Sequence, residues 1–491
     1  SSVVSEGGRI FLRATQRAVL ESTSEIRADG GGKGAGGNVI VWSDQDTRAD
    51  GSISARGGSD GGGGGFVETS GKGHLSVGDI RVDTGGGQWL LDPNDFTIGV
   101  DISGATLSSN LESNDVFILS SDGAMPGGGD IFVNESVSWS SNKSLVLSAY
   151  RDVVVNQPIS GPNSDLIYLY ADNLGTGTGT VSFSGAGSVT IGGAGVLYLF
   201  YNPTSYSSPT DYSSWITGPH AALMLVNSLG NEGDEVSGTH GLQAMATNLA
   251  GNYALGRDID ASATAGWNSG DGFVPIGNAV TPFTGKLYGV AQTITSLTIN
   301  RPATDHVGLF GQIDASGEVS NVVFDGANIT GREHVGTLAG INQGLVTFIT
   351  GSVGSVTGNG YDVGGLVGFH DGGIISSSSF SGTVANSGSG TRTGGLVGAN
   401  WGTINDSSSA ASVSGWREVG GLAGGSSGSI VGSSATGPVS GTGDDVGGLV
   451  GHVWGNAISD SHATGPVSSA GIYTGGLVGY NAGNVTLSYA T

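Results

Sequence analysis

Along residues 305–491 apolar and polar positions alternate in a fixed order. A leucine flanked by glycines comes first, at Leu309, Leu338, Leu366, Leu396, Leu422, Leu449 and Leu477. Roughly eight positions on, after a Gly or small-residue turn, stands a lone β-branched residue: Val319, Val346, Ile375, Ile404, Ile430, Ile458 or Val485. A third anchor follows a Ser/Ala/Thr-rich stretch, as at Val384, Val413, Val439 and Val467. The copies begin at Val307, Val335, Val363, Thr393, Val419, Val446 and Thr474, at intervals of 28, 28, 30, 26, 27 and 28 residues. Three short apolar segments per copy, separated by Gly, Asn, Asp and Ser, predict three short strands and three bends.

One such coil buries nothing alone. Stacked at about 4.8 Å, successive coils pair every strand in parallel and set like residue on like, filling a narrow interior. Glycine at the bends is expected to supply the positive φ that sharp corners need. The pattern predicts an all-β, parallel β-helix. Asparagine-ladder spacing for a leucine-rich horseshoe is missing, and the period is too short for propeller blades.

The same period opens the chain in other residues. Ile26, Ile53 and Ile80 are spaced by 27 and 27, and the segments starting at Gly8, Gly37 and Gly65 by 29 and 28. Residues 128–200 continue with longer strand-like runs such as SLVLSAY and GVLYLF. Two stretches break the pattern. NPTSYSSPTDYSSWITGP at 202–219 reads as a lateral loop, and Leu242, Met245 and Leu249 predict a short helix. The expected organisation is coils over 1–100, their continuation over 101–201, an irregular insertion with the helix at 202–282, and repeat coils over 283–491. Roughly 15 coils would make a rod about 70 Å long.

Composition narrows the function. Glycine is 94 of 491 residues without a collagen period, 12% of residues are charged and 37% hydrophobic, a balance that folds. With 17 Lys and Arg against 41 Asp and Glu the net charge is −24, and no basic cluster suits a phosphate backbone, so nucleic acid is not an expected partner. Without cysteine there are no disulfides, thiol chemistry or Cys–zinc sites. No run approaches a membrane span, and SSVVSEGGRI is no signal peptide.

Two passages carry a resemblance. GFVETSGKG at 65–73 with GGQWLLDPNDFTIG at 86–99 resembles filamentous-haemagglutinin-type exoproteins of two-partner secretion. The passage LQAMATNLAGNYALGRDIDAS and the 305–491 copies resemble GLUG repeats, found in bacterial surface adhesins and some secreted proteases. The resemblance implies a right-handed β-helical shaft, secreted through an outer-membrane partner to the bacterial cell surface, acting in adhesion, aggregation or biofilm matrix; from the residues, no enzymatic activity and no cofactor are expected. The family's N-terminal secretion motifs are not visible. The last coil stops at TLSYAT, where earlier copies continue, which suggests a piece of a longer protein.

Candidate chemistry is sparse. No HExxH occurs. His306 and His334, each preceded by an acid (Asp305, Glu333), occupy one position in successive coils; a metal pair is one reading. The favoured reading is an exposed corner, since the later equivalents are Asp362, Arg392, Glu418, Asp445 and Tyr473. Asp258, Asp260 and Asp271 would serve a polysaccharide lyase or hydrolase if they converged with a base, but suit loop-amide capping better. The calcium-binding nonapeptide is absent. Trp401 and Trp454 share one offset in coils two steps apart, about 10 Å, where a bend should expose them, and Trp416, also in a turn, is expected to extend that surface. Exposed rings on one face suit stacking on a sugar, with extracellular polysaccharide or cell-surface glycan as partner. Packing over turns, self-association of rods, and a passive spacer are the competing readings.

Overall fold

The computed structural model describes residues 2–6, 8–121 and 127–491. The chain forms two compact units, the described residues of Ser1–Pro203 with Thr210–Leu225, and Thr204–Pro209 with Val226–Thr491. Both units are parallel β-solenoids, with about 17 turns in all among the described residues, against the 15 expected.

In the first unit the longest sheet stacks Arg9–Ala14, Asn38–Ser43, Phe66–Gly71, Gln88–Pro93, Asp115–Leu119, Leu145–Ser148, Leu166–Tyr170 and Val196–Tyr201 in parallel. Alternation puts Val39, Val67, Trp89, Val116, Leu145, Ile167 and Leu197 inward in one ladder, all fully buried. Ser2–Glu6 runs antiparallel to Arg9–Ala14 and covers that strand's edge.

An α-helix at Gly104–Leu111 interrupts the coils expected there. Ser103 caps it, its Oγ accepting from the Thr106 amide at 3.0 Å. The helix buries Leu107 and Leu111 and faces the edge of the three-stranded sheet ending at Arg81–Asp83. The Asn110 side chain accepts from Val82 N and donates to Ile80 O; that of Asn114 accepts from Thr84 N and donates to Val82 O. Two amides one helical turn apart thus replace the missing next strand.

The 202–219 loop folds back onto its own unit in part. Tyr212 packs edge-on to Tyr201 at 5.0 Å and donates to Val181 O, and Trp215 stacks on Phe183 at 5.6 Å.

In the second unit the sequence anchors pair as read. Val319, Val346, Ile375, Ile404, Ile430, Ile458 and Val485 form one ladder, with Tyr253 and Leu287 before them. Val384, Val413, Val439 and Val467 form another. The insertion is smaller than 202–282. Coils begin at Asn252–Leu255, and the expected helix is a 3-10 segment, Gln243–Thr247. Leu242 and Met245 are buried as a helical face would require, but the chain turns away after Thr247.

Positive φ is found at some glycines of the repeat region, such as Gly326, Gly372 and Gly432, but not at those flanking the repeat leucines. Positive φ falls instead on the residue before each copy: His306, His334, Asp362, Arg392, Glu418, Asp445 and Tyr473, all between 52° and 69°. The glycines allow close approach. A Cβ on Gly424 would lie 2.5 Å from the carbonyl carbon of Arg392, and one on Gly398 2.5 Å from that of Asp362, each the corner residue one coil below. Serines bridge another bend: Ser378, Ser407 and Ser433 each accept at Oγ from a backbone N–H one coil below and donate to a carbonyl two residues back.

Candidate functional site

The corner residues and the sheet beside them form one face of the second unit. That sheet stacks Phe310–Ile313, Ala339–Asn342, Val367–His370, Val397–Asn400, Ala423–Ser426, Val450–Val453 and Val478–Asn481. One outward row along it reads Gln312, Ile341, Phe369, Ala399, Gly425, His452 and Tyr480.

The corner row is not the exposed edge that its sequence suggests. Asp362 and Asp445 are 1% exposed and Glu418 is 9% exposed; Tyr473 alone is open. The left-handed conformation turns these side chains back across the sheet, so their charges need partners. Asp362 lies between the guanidinium of Arg392, which donates at 3.2 Å, and His334 Nδ1 at 2.9 Å. Asp445 Oδ2 accepts from Arg417 at 3.2 Å and lies 3.3 Å from His452 Nδ1. Glu418 is compensated least: burial pushes its carboxyl up, and His452, Arg392 and Arg417 offset this only in part.

His306 and His334 do stand in register, rings stacked at 5.1 Å. Asp305 is held by Arg332, and His334 is turned to Asp362. Burial, then the neighbouring His334, lowers the His306 pKa below its ordinary value.

Aromatic rings extend this face. His334 stacks on Phe369 at 5.6 Å, and Trp401 meets Phe369 edge-on at 4.8 Å. Two coils up, the His452 ring lies between Trp454 at 4.7 Å and Tyr480 at 4.6 Å. Between these clusters the outward row shrinks to Ala399 and Gly425. A Cβ at 425 would overlap the Trp454 ring, which would have to shift to admit it. Trp401 is 50% exposed and Trp454 38% exposed. They follow equivalent strand ends, Asn400 and Val453, with Ser426 between. Each ring therefore packs over a neighbour and still presents a large open area. Trp416, 41% exposed, sits at a different corner against Gly443, outside this row.

Asp258, Asp260 and Asp271 are all exposed. Asp258 accepts from Thr293 N and Asp260 from Ser262 N, the capping role expected of them.

A parallel β-solenoid carrying a repeated glycine-flanked corner is the class of protein defined so far. The GLUG motif matches residues 359–385 and 443–468, and the M26 IgA1-specific metallo-endopeptidase N-terminal region matches residues 237–349. The 242–262 passage, grouped above with GLUG, falls in the second of these; neither reaches residues 1–236, so the haemagglutinin likeness there rests on the motifs alone. Halomucin from Haloquadratum walsbyi is 42% identical over 140 residues, 28% of this chain and 2% of its own. A Gly-rich membrane protein from Evansella cellulosilytica is 36% identical over 106 residues, 21% of this chain and 12% of its own. The chain thus spans a small fraction of either relative's length. No solved structure matches. GLUG repeats on a β-solenoid fit an extracellular, repeat-rich surface protein.

Proposed function

We propose that the chain is part of an adhesive shaft of a secreted or surface-anchored exoprotein, and that the Trp401–Trp454 face contacts neutral polysaccharide. One observation carries the reading: two half-exposed tryptophans at equivalent positions, two coils apart, bracket a stretch where the outward row falls to Ala399 and Gly425. A spacing of about 10 Å suits sugar rings laid along the solenoid axis, their apolar faces on the indoles and their hydroxyls toward the buried charges. Paired corner charges and a chain charge of −24 disfavour acidic polymers. Backbone ladders give the stiffness that displays many weak contacts together. The 65–99 likeness supports export by two-partner secretion, and the name halomucin supports a place outside the cell.

A glycan array probed with the full chain tests this. Binding to neutral polymeric glycans is expected, and loss of it in Trp401→Ala/Trp454→Ala. A blank array would leave a spacer as the function.

A further inference from the structure

Beside that face, Glu418, Asp445 and His452 place one ligand-type atom each within 4.8 Å of one another. Among the described residues no other group of three converges in this way. The chain brings them together by stacking: Glu418 is the corner of one coil, Asp445 the corner of the next, and His452 the outward residue of the adjoining strand.

Three features separate this cluster from an ordinary ion-pair patch. The Glu418 side chain is 12% exposed and its carboxylate is not closed by a guanidinium fork; its nearest cation, Arg417 Nε, stands 4.0 Å away. The His452 imidazole is held between the Trp454 and Tyr480 rings, which fixes its plane and keeps Nδ1 toward the carboxylates. The Nδ1–Asp445 Oδ2 separation is 3.3 Å. Donors about 2.0–2.2 Å from a tetrahedral ion are themselves about 3.3–3.5 Å apart, so one edge of a coordination site already has its working length. The corresponding corner one pair of coils earlier differs in kind: Asp362 is closed by Arg392 and His334, with no second carboxylate facing it.

We infer that Glu418, Asp445 and His452 bind a divalent transition ion, zinc by donor type, that cross-links two successive coils next to the Trp454 ring. Two carboxylates and one imidazole suit zinc better than calcium, which takes six or more oxygens. Three protein donors leave a fourth position open to water or a ligand hydroxyl. Arg417 stays on Asp445 Oδ2 as an outer partner, and a small swing of the Glu418 carboxylate closes the set.

Calorimetry of the full chain with zinc chloride tests the site independently of any glycan. One equivalent is expected, weakened about tenfold or more in both Glu418→Gln and His452→Gln and unchanged in His306→Gln. His452 is part-exposed, so its variant keeps the fold even if the buried Glu418 does not tolerate change. Cobalt should also quench Trp454, a signal absent from Trp454→Phe. No saturable zinc binding, or binding equal in wild type and His452→Gln, would overturn the inference.

Discussion

Close approach of coils at the repeat's third glycine makes a sharp quantitative prediction. In Gly424→Ala the new Cβ would sit 2.5 Å from the Arg392 carbonyl carbon and 2.7 Å from its Cα. Ordinary contact begins near 3.4 Å, so the coils must part locally by nearly an ångström. No flexible side chain is available to yield, since both atoms are backbone. Parting stretches the neighbouring ladder bonds, among them Gly395 N to Gly420 O at 3.2 Å and Leu396 N to Leu422 O at 2.9 Å. Overpacking of this kind costs about 1–3 kcal/mol and each weakened backbone bond about 1 kcal/mol. The expected local loss is about 3 kcal/mol, or roughly a hundredfold in the opening equilibrium. Solenoids lose global two-state behaviour, so the assay is hydrogen exchange read by residue. Amides of 393–396 and 419–423 should exchange roughly a hundredfold faster. Gly455→Ala is the control, because its Cβ meets nothing within 4 Å, and it should leave exchange unchanged. Equal behaviour of the two variants would refute the close-approach account of the repeat.

Two further predictions concern the interior. Burial lowers the His370 pKa to about 4 from 6.5, so the imidazole is neutral in the fold; stability is full above pH 6.5 and falls as pH drops toward 4, by about 3 kcal/mol in all. His370→Asn, which matches the neighbouring rungs Asn342 and Asn400, should keep the fold and flatten that stretch of the denaturation-versus-pH curve. Asn114→Ala strips the Thr84 amide of its acceptor and should cost about 1–3 kcal/mol, seen as faster exchange at Thr84; protection equal to wild type would contradict the edge-capping role of the helix.

Coil period and core anchors are readable in the sequence because stacking demands the same residue size at the same place in every turn. Leu366, Leu396 and Leu422, or Ile375, Ile404 and Ile430, must superimpose, and an apolar ladder leaves an apolar period. The helix at 104–111 escapes that logic: it occurs once, buries only two leucines, and its asparagines do the work of a strand. Glycine spacing alone does not separate a left-handed bend from a close backbone approach, and here positive φ belongs to Asp362, Arg392 and Glu418 instead. The corner row is visible as a column of unlike residues. Its burial is not, because it depends on a backbone conformation that turns each side chain inward. The Glu418–Asp445–His452 group draws on two coils, and its only sequence signal is an acid at two successive corners with a histidine seven residues past the second.

The central claim is that the repeat makes the scaffold while residues that depart from it make the binding face. Gel retardation of the full chain in neutral polysaccharide, run beside Trp401→Ala/Trp454→Ala and Trp416→Ala, tests it most directly. The account predicts retardation of wild type and Trp416→Ala and free migration of the double variant, with hydrogen exchange of the core ladders unaltered in all three. Equal retardation of the double variant and wild type would contradict it.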